Sequence, residues 1–230
     1  MPESERPQEK LLFAGPGGTG KSTIAKEIAA RFGLEYIDTG AMYRSMGLKA
    51  LRTGVSPADE EAVSEMLKDT TLDFRDNHMY LDGEDVGGLI RTNEISMAAS
   101  DISKLPCVRA KADELSKYLA STRDVVMEGR DITTVVIPDA EVKIFMTASP
   151  EIRAERRYKQ LLEAGKPADY DQILEEIQKR DYQDSHRELN PLRQAEDAEF
   201  LDTSDLNMEE VVQKVSSIIT EKTGAVPAES

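Results

Sequence analysis

Short apolar runs alternate with amphipathic stretches along this chain of 230 residues. The apolar runs are of strand length and predict five strands, at residues 11–14, 34–37, 125–127, 142–146 and 200–201. In the stretches between them apolar positions recur at helical spacing, as Ile24, Ile28 and Ala29 do. They predict helices at residues 21–32, 40–51, 56–67, 91–119, 149–164, 170–189 and 208–220. This alternation predicts an α/β fold, a parallel sheet covered by helices on both faces.

One segment departs from this alternation. Residues 72–74 and 78–81 alternate like strands, and Asp82-Gly83 is a hairpin turn signal. We therefore expect a single core at residues 10–220 with an insert at about residues 65–105. The polar helices of residues 153–187 predict a mobile lid, with its tip near Gly165 and Pro167. Residues 1–9 and 221–230 are expected to be loose tails.

Composition narrows the class of protein. Hydrophobic residues make up 39% of the chain, and no stretch approaches the roughly 20 apolar residues of a spanning helix. The first ten residues lack the apolar segment of a signal peptide, and the one cysteine, Cys107, excludes an internal disulfide. A net charge of −15 opposes binding to nucleic acid or anionic membranes. We expect a soluble, cytoplasmic and monomeric protein.

The strongest motif directly follows the first predicted strand. Residues 15–22 fit G-x-x-x-x-G-K-S/T, the phosphate-binding loop (P-loop) that joins a strand to a helix. Its backbone N–H groups and the helix N-terminus attract phosphate, Lys21 can reach the outer phosphates, and the Ser22 hydroxyl suits Mg²⁺. The motif predicts binding of a nucleoside triphosphate. The residues expected to bind ATP are Gly15, Pro16, Gly17, Gly18, Thr19, Gly20, Lys21, Ser22 and Thr23.

The same residues also match the sequence motif of dinucleotide-binding folds. Gly15, Gly17 and Gly20 fit G-x-G-x-x-G, and Asp38 stands about 20 residues on, where that fold places a ribose-binding acid. A dinucleotide fold does not require the Lys-Ser pair after the last glycine, whereas a triphosphate loop does. The triphosphate interpretation is therefore preferred over the dinucleotide one and over a glycine-rich turn without a ligand.

Polar runs follow two other predicted strands. Residues 38–44 (DTGAMYR) can supply hydroxyl groups and an arginine, but they also fit an ordinary turn capped by Asp38. Residues 128–131 (EGRD) offer the forked donor of Arg130 and the carboxylate of Asp131, or merely a surface ion pair.

Two sets of charged residues fall on single helix faces. Arg180, Asp184 and Arg187 share one face of the predicted 170–189 helix, where a solvated charged surface is the simpler explanation. The helix before it carries a second set, Arg153, Arg156 and Arg157.

These motifs together resemble bacterial cytidylate kinases. The resemblance rests on the P-loop, residues 38–44, Ile90-Arg91-Thr92, Ala98-Ala99-Ser100 with Val108-Arg109, Gly129-Arg130-Asp131, Val142-Lys143-Ile144-Phe145 and Arg180-Asp181. It extends in matching order over about residues 10 to 220. The family often has serine where this chain has Thr39, so the hydroxyl is kept. The family's enlarged monophosphate-binding insert corresponds to the segment at about residues 65–105.

The resemblance implies a set of substrates and residue roles. It implies phosphoryl transfer from ATP, with Mg²⁺, to CMP and dCMP. Residues implied around the cytosine are Thr39, Ser100, Arg109 and Asp131; those around the pentose are Tyr43, Arg180 and Asp184; those around the acceptor phosphate are Arg44, Arg130 and Arg187. Catalytic roles are expected for Lys21, Arg130, Arg153, Arg156 and Arg157.

Two alternatives remain besides a dinucleotide oxidoreductase. One is another small-molecule kinase such as adenylate kinase, against which the enlarged insert and residues 100–109 argue. The other is a GTP-dependent switch protein, which needs an Asn-Lys-x-Asp motif. The nearest string, Ala110-Lys111-Ala112-Asp113, lacks the asparagine.

Overall fold

A computed structural model describes residues 8–228 of the chain. The first seven and last two residues, which belong to the predicted tails, lie outside the described residues. The described chain forms two compact units. The first comprises Glu35–Val125, and the second combines Glu9–Leu34 with the residues from Val126 onward.

Strands and helices alternate much as the hydrophobic pattern predicts. Within the described residues the strands are β1 (Lys10–Ala14), β2 (Glu35–Asp38), β3 (Leu72–Arg75), β4 (His78–Leu81), β5 (Glu84–Asp85), β6 (Val125–Gly129), β7 (Val142–Thr147) and β8 (Glu199–Asp202). The helices are α1 (Lys21–Phe32), α2 (Thr39–Thr53), α3 (Glu60–Lys68), α4 (Asn93–Ile102), α5 (Pro106–Thr122), α6 (Pro150–Glu163), α7 (Tyr170–His186) and α8 (Met208–Thr223). A short π-helical turn occupies Ile132–Val136.

The second unit contains the main parallel sheet. Its strands lie in the order β6-β1-β7-β8, and β7 pairs in parallel with both β1 and β8. β1 is buried from Leu11 to Ala14, as a strand covered on both faces must be. Helix α1 packs against β1 and α8, and α8 packs against β7. The predicted α/β fold with a central parallel sheet flanked by helices is confirmed.

The first unit is built around α2. This helix packs against α3, α4, α5 and β4. The approach of α2 to α4 is so close that a Cβ on Gly47 would lie 2.8 Å from the Ala99 backbone nitrogen, so only glycine fits there. Strands β3, β4 and β5 form an antiparallel sheet. The predicted Asp82-Gly83 turn joins β4 to β5, and a second turn, at Asp76 and Asn77, joins β3 to β4.

Several helix ends differ from the sequence prediction. The helix expected to start at Ser56 starts at Glu60, because Asp59 caps it by accepting a hydrogen bond from the Ala62 N–H at 3.0 Å. Residues 91–119 form two helices, since Pro106 begins a new one at its first position. Helix α7 ends at His186 instead of residue 189. In the described part of the chain, the helices are too short or too polar to cross a membrane.

Candidate active site

The loop between β1 and α1 has the backbone of an anion-binding turn. Gly15, Gly18 and Gly20 all have positive φ angles, and Gly20 forms the N-terminal boundary of α1. At Gly15 an added Cβ would lie 1.9 Å from the carbonyl oxygen of Met146 on β7. Such a turn directs successive N–H groups into one concavity at the positive end of a helix. The geometry therefore suits phosphate.

Lys21 is buried inside this loop. Its ammonium Nζ donates to the carbonyl oxygen of Pro16 at 2.6 Å. Burial, followed by the charge of Arg130 and then that of Arg180, lowers the pKa of Lys21 from 10.5 to about 7, although Glu128 opposes the shift. The amine thus lies among positive charges, and a bound anion would stabilise its charged form. Ser22, in the first turn of α1, is exposed, as Thr23 is.

Arginines from two further elements lie beside the loop in the same unit. A Cβ on Gly17 would lie 3.0 Å from Nη2 of Arg130 and 3.5 Å from Nη1 of Arg180. Arg130 donates through Nε to Asp184 at 2.7 Å. Asp184 is largely buried, which opposes its ionisation, but Arg130, then Arg180 and Arg187, hold its pKa below the usual value.

The predicted polar face of α7 is part of this cluster. Arg187, which follows the last residue of α7, has Nη2 3.6 Å from Oδ1 of Asp131, a residue just beyond β6. Its Nε donates to the carbonyl oxygen of Asn190 at 2.7 Å. Asp184 thus pairs with Arg130, and Arg187 lies near Asp131, so both α7 residues reach the segment that follows β6.

The three arginines of α6 lie in different environments. Arg153 is buried and bonded to Asp181 and to the P-loop carbonyl of Gly17. Arg156 donates to the carbonyl oxygen of Thr203 at 2.6 Å. Arg157 is exposed and donates to the Gln160 side chain, one turn along the helix. Their predicted shared role in closing over phosphate stays a prediction, and Arg153 makes different contacts from the other two.

The remaining predicted site residues belong to the first unit and lie on or beside its helices. Asp38 caps α2 through the Ala41 N–H at 3.2 Å, and Arg44 donates to the same carboxylate at 2.6 Å. The capping interpretation of Asp38 is therefore correct, and Arg44 also uses this carboxylate.

Arg109 connects further helices of the first unit. It is buried, its Cζ lies 5.7 Å from the Tyr43 ring centroid, and its Nη1 donates to the Ser103 carbonyl oxygen at 3.2 Å. Ser100 is half-buried on α4, and its own carbonyl oxygen accepts from the Ser103 hydroxyl. Thr39 is buried at the start of α2.

Three residues near the P-loop were given no role by sequence reasoning. Glu128 is buried at the end of β6 and acts electrostatically on Lys21. Asp181 pairs with Arg153, and the Thr203 hydroxyl lies 3.5 Å from the Thr19 carbonyl oxygen. Glu128 belongs to the EGRD run and Asp181 to the Arg180-Asp181 motif, so membership of these motifs was the available signal for the two carboxylates. Thr203 belongs to no motif. No cluster of three or more metal-ligating side chains occurs between residues 8 and 228.

The family model and the sequence relatives that match this chain indicate the same family. Residues 12–221 match a family model described as cytidylate kinase. The chain is 49% identical over 209 residues to a cytidylate kinase of Caldicellulosiruptor bescii, covering 89% of this chain and 92% of the relative. It is 45% identical to one of Mycobacterium leprae, covering 94% and 97%. A solved shikimate kinase of Bacteroides thetaiotaomicron is 11% identical at a TM-score of 0.47, covering 92% and 98%, so the family is taken from the sequence relatives alone.

Proposed function

Because this chain belongs to the cytidylate kinase family, we propose that it transfers the terminal phosphoryl group of ATP to CMP. We include dCMP as a second acceptor. The products are ADP with CDP or dCDP. The acidic net charge of −15 supports a monomeric protein that works on small molecules, without nucleic-acid or membrane partners. We also propose that it is cytoplasmic.

The observation that carries this proposal is the position of Arg130 and Arg180 against the P-loop. Both guanidinium groups lie within about 4 Å of the position that a Gly17 Cβ would take. The loop supplies a site for the donor triphosphate, and the arginines supply positive charge where a second phosphate would approach it. A nucleotide switch protein needs no site for an acceptor phosphate.

The proposed roles follow the family assignments. ATP is bound by residues 15–23, and the acceptor phosphate by arginines, namely Arg44, Arg130 and Arg187. We assign the pentose to Tyr43, Arg180 and Asp184, and the cytosine to Thr39, Ser100, Arg109 and Asp131. The burial of Arg109 supports a role at a base, since a hydrogen bond to a buried guanidinium is strongly discriminating.

Catalysis in this proposal consists of alignment and neutralisation of charge. The acceptor is a phosphate oxygen that is already anionic at neutral pH, so no general base is required. Lys21 and Arg130 stabilise the charge that spreads over the transferred group. The lid arginines, Arg153, Arg156 and Arg157, are proposed to exclude water that would otherwise hydrolyse ATP.

Mg²⁺ fits the residues at the start of α1. The exposed Ser22 hydroxyl is an oxygen ligand of the type that Mg²⁺ takes beside phosphate oxygens and water. When bound, the ion would neutralise part of the charge on the outer phosphates.

One coupled assay tests the proposed function. ADP release is measured with ATP and Mg²⁺ and with CMP, dCMP, UMP, AMP, GMP or shikimate as the acceptor. We expect CMP to give the highest kcat/KM, with dCMP also used. A preference for AMP or GMP, or ADP release that does not depend on the acceptor, would overturn the proposal.

Arg109→Ala separates acceptor binding from donor binding. We expect the KM for CMP to rise by about tenfold or more while the KM for ATP stays nearly constant, because Arg109 is assigned to the base. The matched control is Lys117→Ala, which removes an exposed cation from the same helix. Equal losses for both substrates in Arg109→Ala would show a structural role instead.

A further inference from the structure

Arg153 has the contacts of a structural guanidinium. Its Nε donates to the Ala148 carbonyl oxygen at 2.9 Å, and its Nη1 donates to the Gly17 carbonyl oxygen and to Asp181 Oδ1, each at 3.0 Å. Its Nη2 donates to Asp181 Oδ2. Four of the five N–H donors of the side chain are thus used, and the residue is 2% exposed. A phosphate could take the forked pair of donors only by displacing Asp181.

The side chain also packs directly against the P-loop. A Cβ on Gly18 would lie 3.6 Å from the Cβ of Arg153. The carbonyl oxygen that Arg153 binds belongs to the peptide unit joining Gly17 to Gly18. In a planar trans peptide the C=O and N–H groups point in opposite directions. Fixing the Gly17 oxygen on the side of Arg153 therefore turns the Gly18 N–H toward the opposite side, where a P-loop collects its anion-binding donors.

We propose that Arg153 and Asp181 form a positioning pair for ATP. The pair holds the Gly17–Gly18 peptide in its anion-binding orientation, and Arg153 acts through that peptide without touching a phosphate. Asp181 lies on α7, so the lid helix anchors the donor loop through this ion pair. The inference rests on the proposed use of ATP.

ADP distinguishes this role from a direct contact with the transferred phosphate. The P-loop backbone surrounds the phosphates that ATP and ADP share, whereas an arginine that touches the terminal phosphate affects ATP alone. If Asp181 merely occupied a phosphate-binding arginine, removing its charge would release Arg153 and tighten ATP binding. If the pair positions the loop, removing either member weakens both nucleotides.

The experiment measures equilibrium binding of ATP and of ADP, without acceptor, to four variants. Arg153→Lys keeps the positive charge but cannot form the same fork, and Asp181→Asn removes the carboxylate charge. Because a buried arginine without its partner can unfold a protein, the double variant Arg153→Met with Asp181→Asn removes both charges together. The control is Glu155→Gln, which removes one exposed carboxylate of α6 that pairs along its own helix, with Lys159.

We expect each single variant to lose about tenfold or more in affinity for ATP and for ADP alike. The double variant should also lose about tenfold or more for both nucleotides, because it lacks the guanidinium that holds the Gly17 carbonyl oxygen. Glu155→Gln should bind both nucleotides as the unmodified chain does. A loss confined to ATP, tighter ATP binding by Asp181→Asn, or normal binding of both nucleotides by the double variant would each overturn the proposal. An unmodified chain that binds both nucleotides but does not phosphorylate CMP would overturn the proposed function alone.

Discussion

Binding of ATP should take up a proton at Lys21. Burial and the neighbouring Arg130 and Arg180 lower the pKa of this amine to about 7, so at pH 8 only about one tenth of the free protein carries the ammonium. Phosphate oxygens at the P-loop favour the charged form and return the pKa toward its usual range. We expect an uptake of about 0.9 proton for each ATP bound at pH 8.

The free-energy cost follows from the same pKa. A fall from 10.5 to about 7 disfavours the charged amine by about 5 kcal/mol relative to water. Above pH 7 the affinity for ATP should therefore fall by up to about tenfold per pH unit, since each binding event must first protonate Lys21. Between about pH 7 and 10.5 the unfolded chain binds this proton and the folded chain does not, so stability of the free protein should rise with pH across that window.

Calorimetric titration in two buffers of different ionisation enthalpy measures the uptake. The reference is Lys21→Arg, whose guanidinium stays charged throughout and should show almost no uptake from this position. Protonation of the nucleotide itself occurs with both proteins and cancels in the difference. An equal uptake by the two proteins at pH 8 would refute the assignment of the proton to Lys21.

Two further substitutions test the backbone. Gly15→Ala should abolish ATP binding or prevent folding, because its Cβ would lie 1.9 Å from the Met146 oxygen, and calorimetry showing near-normal ATP affinity would contradict this. Asp59→Ala should lower the free energy of unfolding by about 1 kcal/mol in denaturant titration through loss of the bond from the Ala62 N–H. The same change at Ser56, where the helix is predicted to start, should cost less, and the reverse order would show that Ser56 starts the helix.

The hydrophobic pattern predicted most elements because local signals and packing agree. Helix α1 has the predicted ends, since Gly20 and Gly33 bound its apolar face with left-handed backbone conformations. The start of α3 was misplaced because Ser56-Pro57 and Asp59 are both good start signals, and the sequence does not rank them. The π-helical turn at Ile132–Val136 was missed, since five residues are too few for a period to be read.

The contacts within the candidate site could be predicted only where the site is one contiguous segment. The P-loop is one segment, so its residues and their backbone requirements were evident from the sequence. The pairs of Arg130 with Asp184 and of Arg153 with Asp181 join residues distant in the chain, and only the folded structure brings them together. For the same reason the sequence suggested pairs within α7 and did not show that Asp184 pairs with Arg130 or that Arg187 lies near Asp131.

The ion pairs beside the loop have a consequence for turnover. Arg130 and Arg187 already lie beside the carboxylates of Asp184 and Asp131, so under the proposed function an arriving acceptor phosphate would compete with these carboxylates for the guanidinium groups. Because the carboxylates already satisfy part of the positive charge of the arginines, the affinity for the bound phosphate before reaction would be limited. When the product leaves, the carboxylates can rejoin the arginines and compensate for the lost contacts. Under the proposed function the cluster would thus keep the product from being held too tightly.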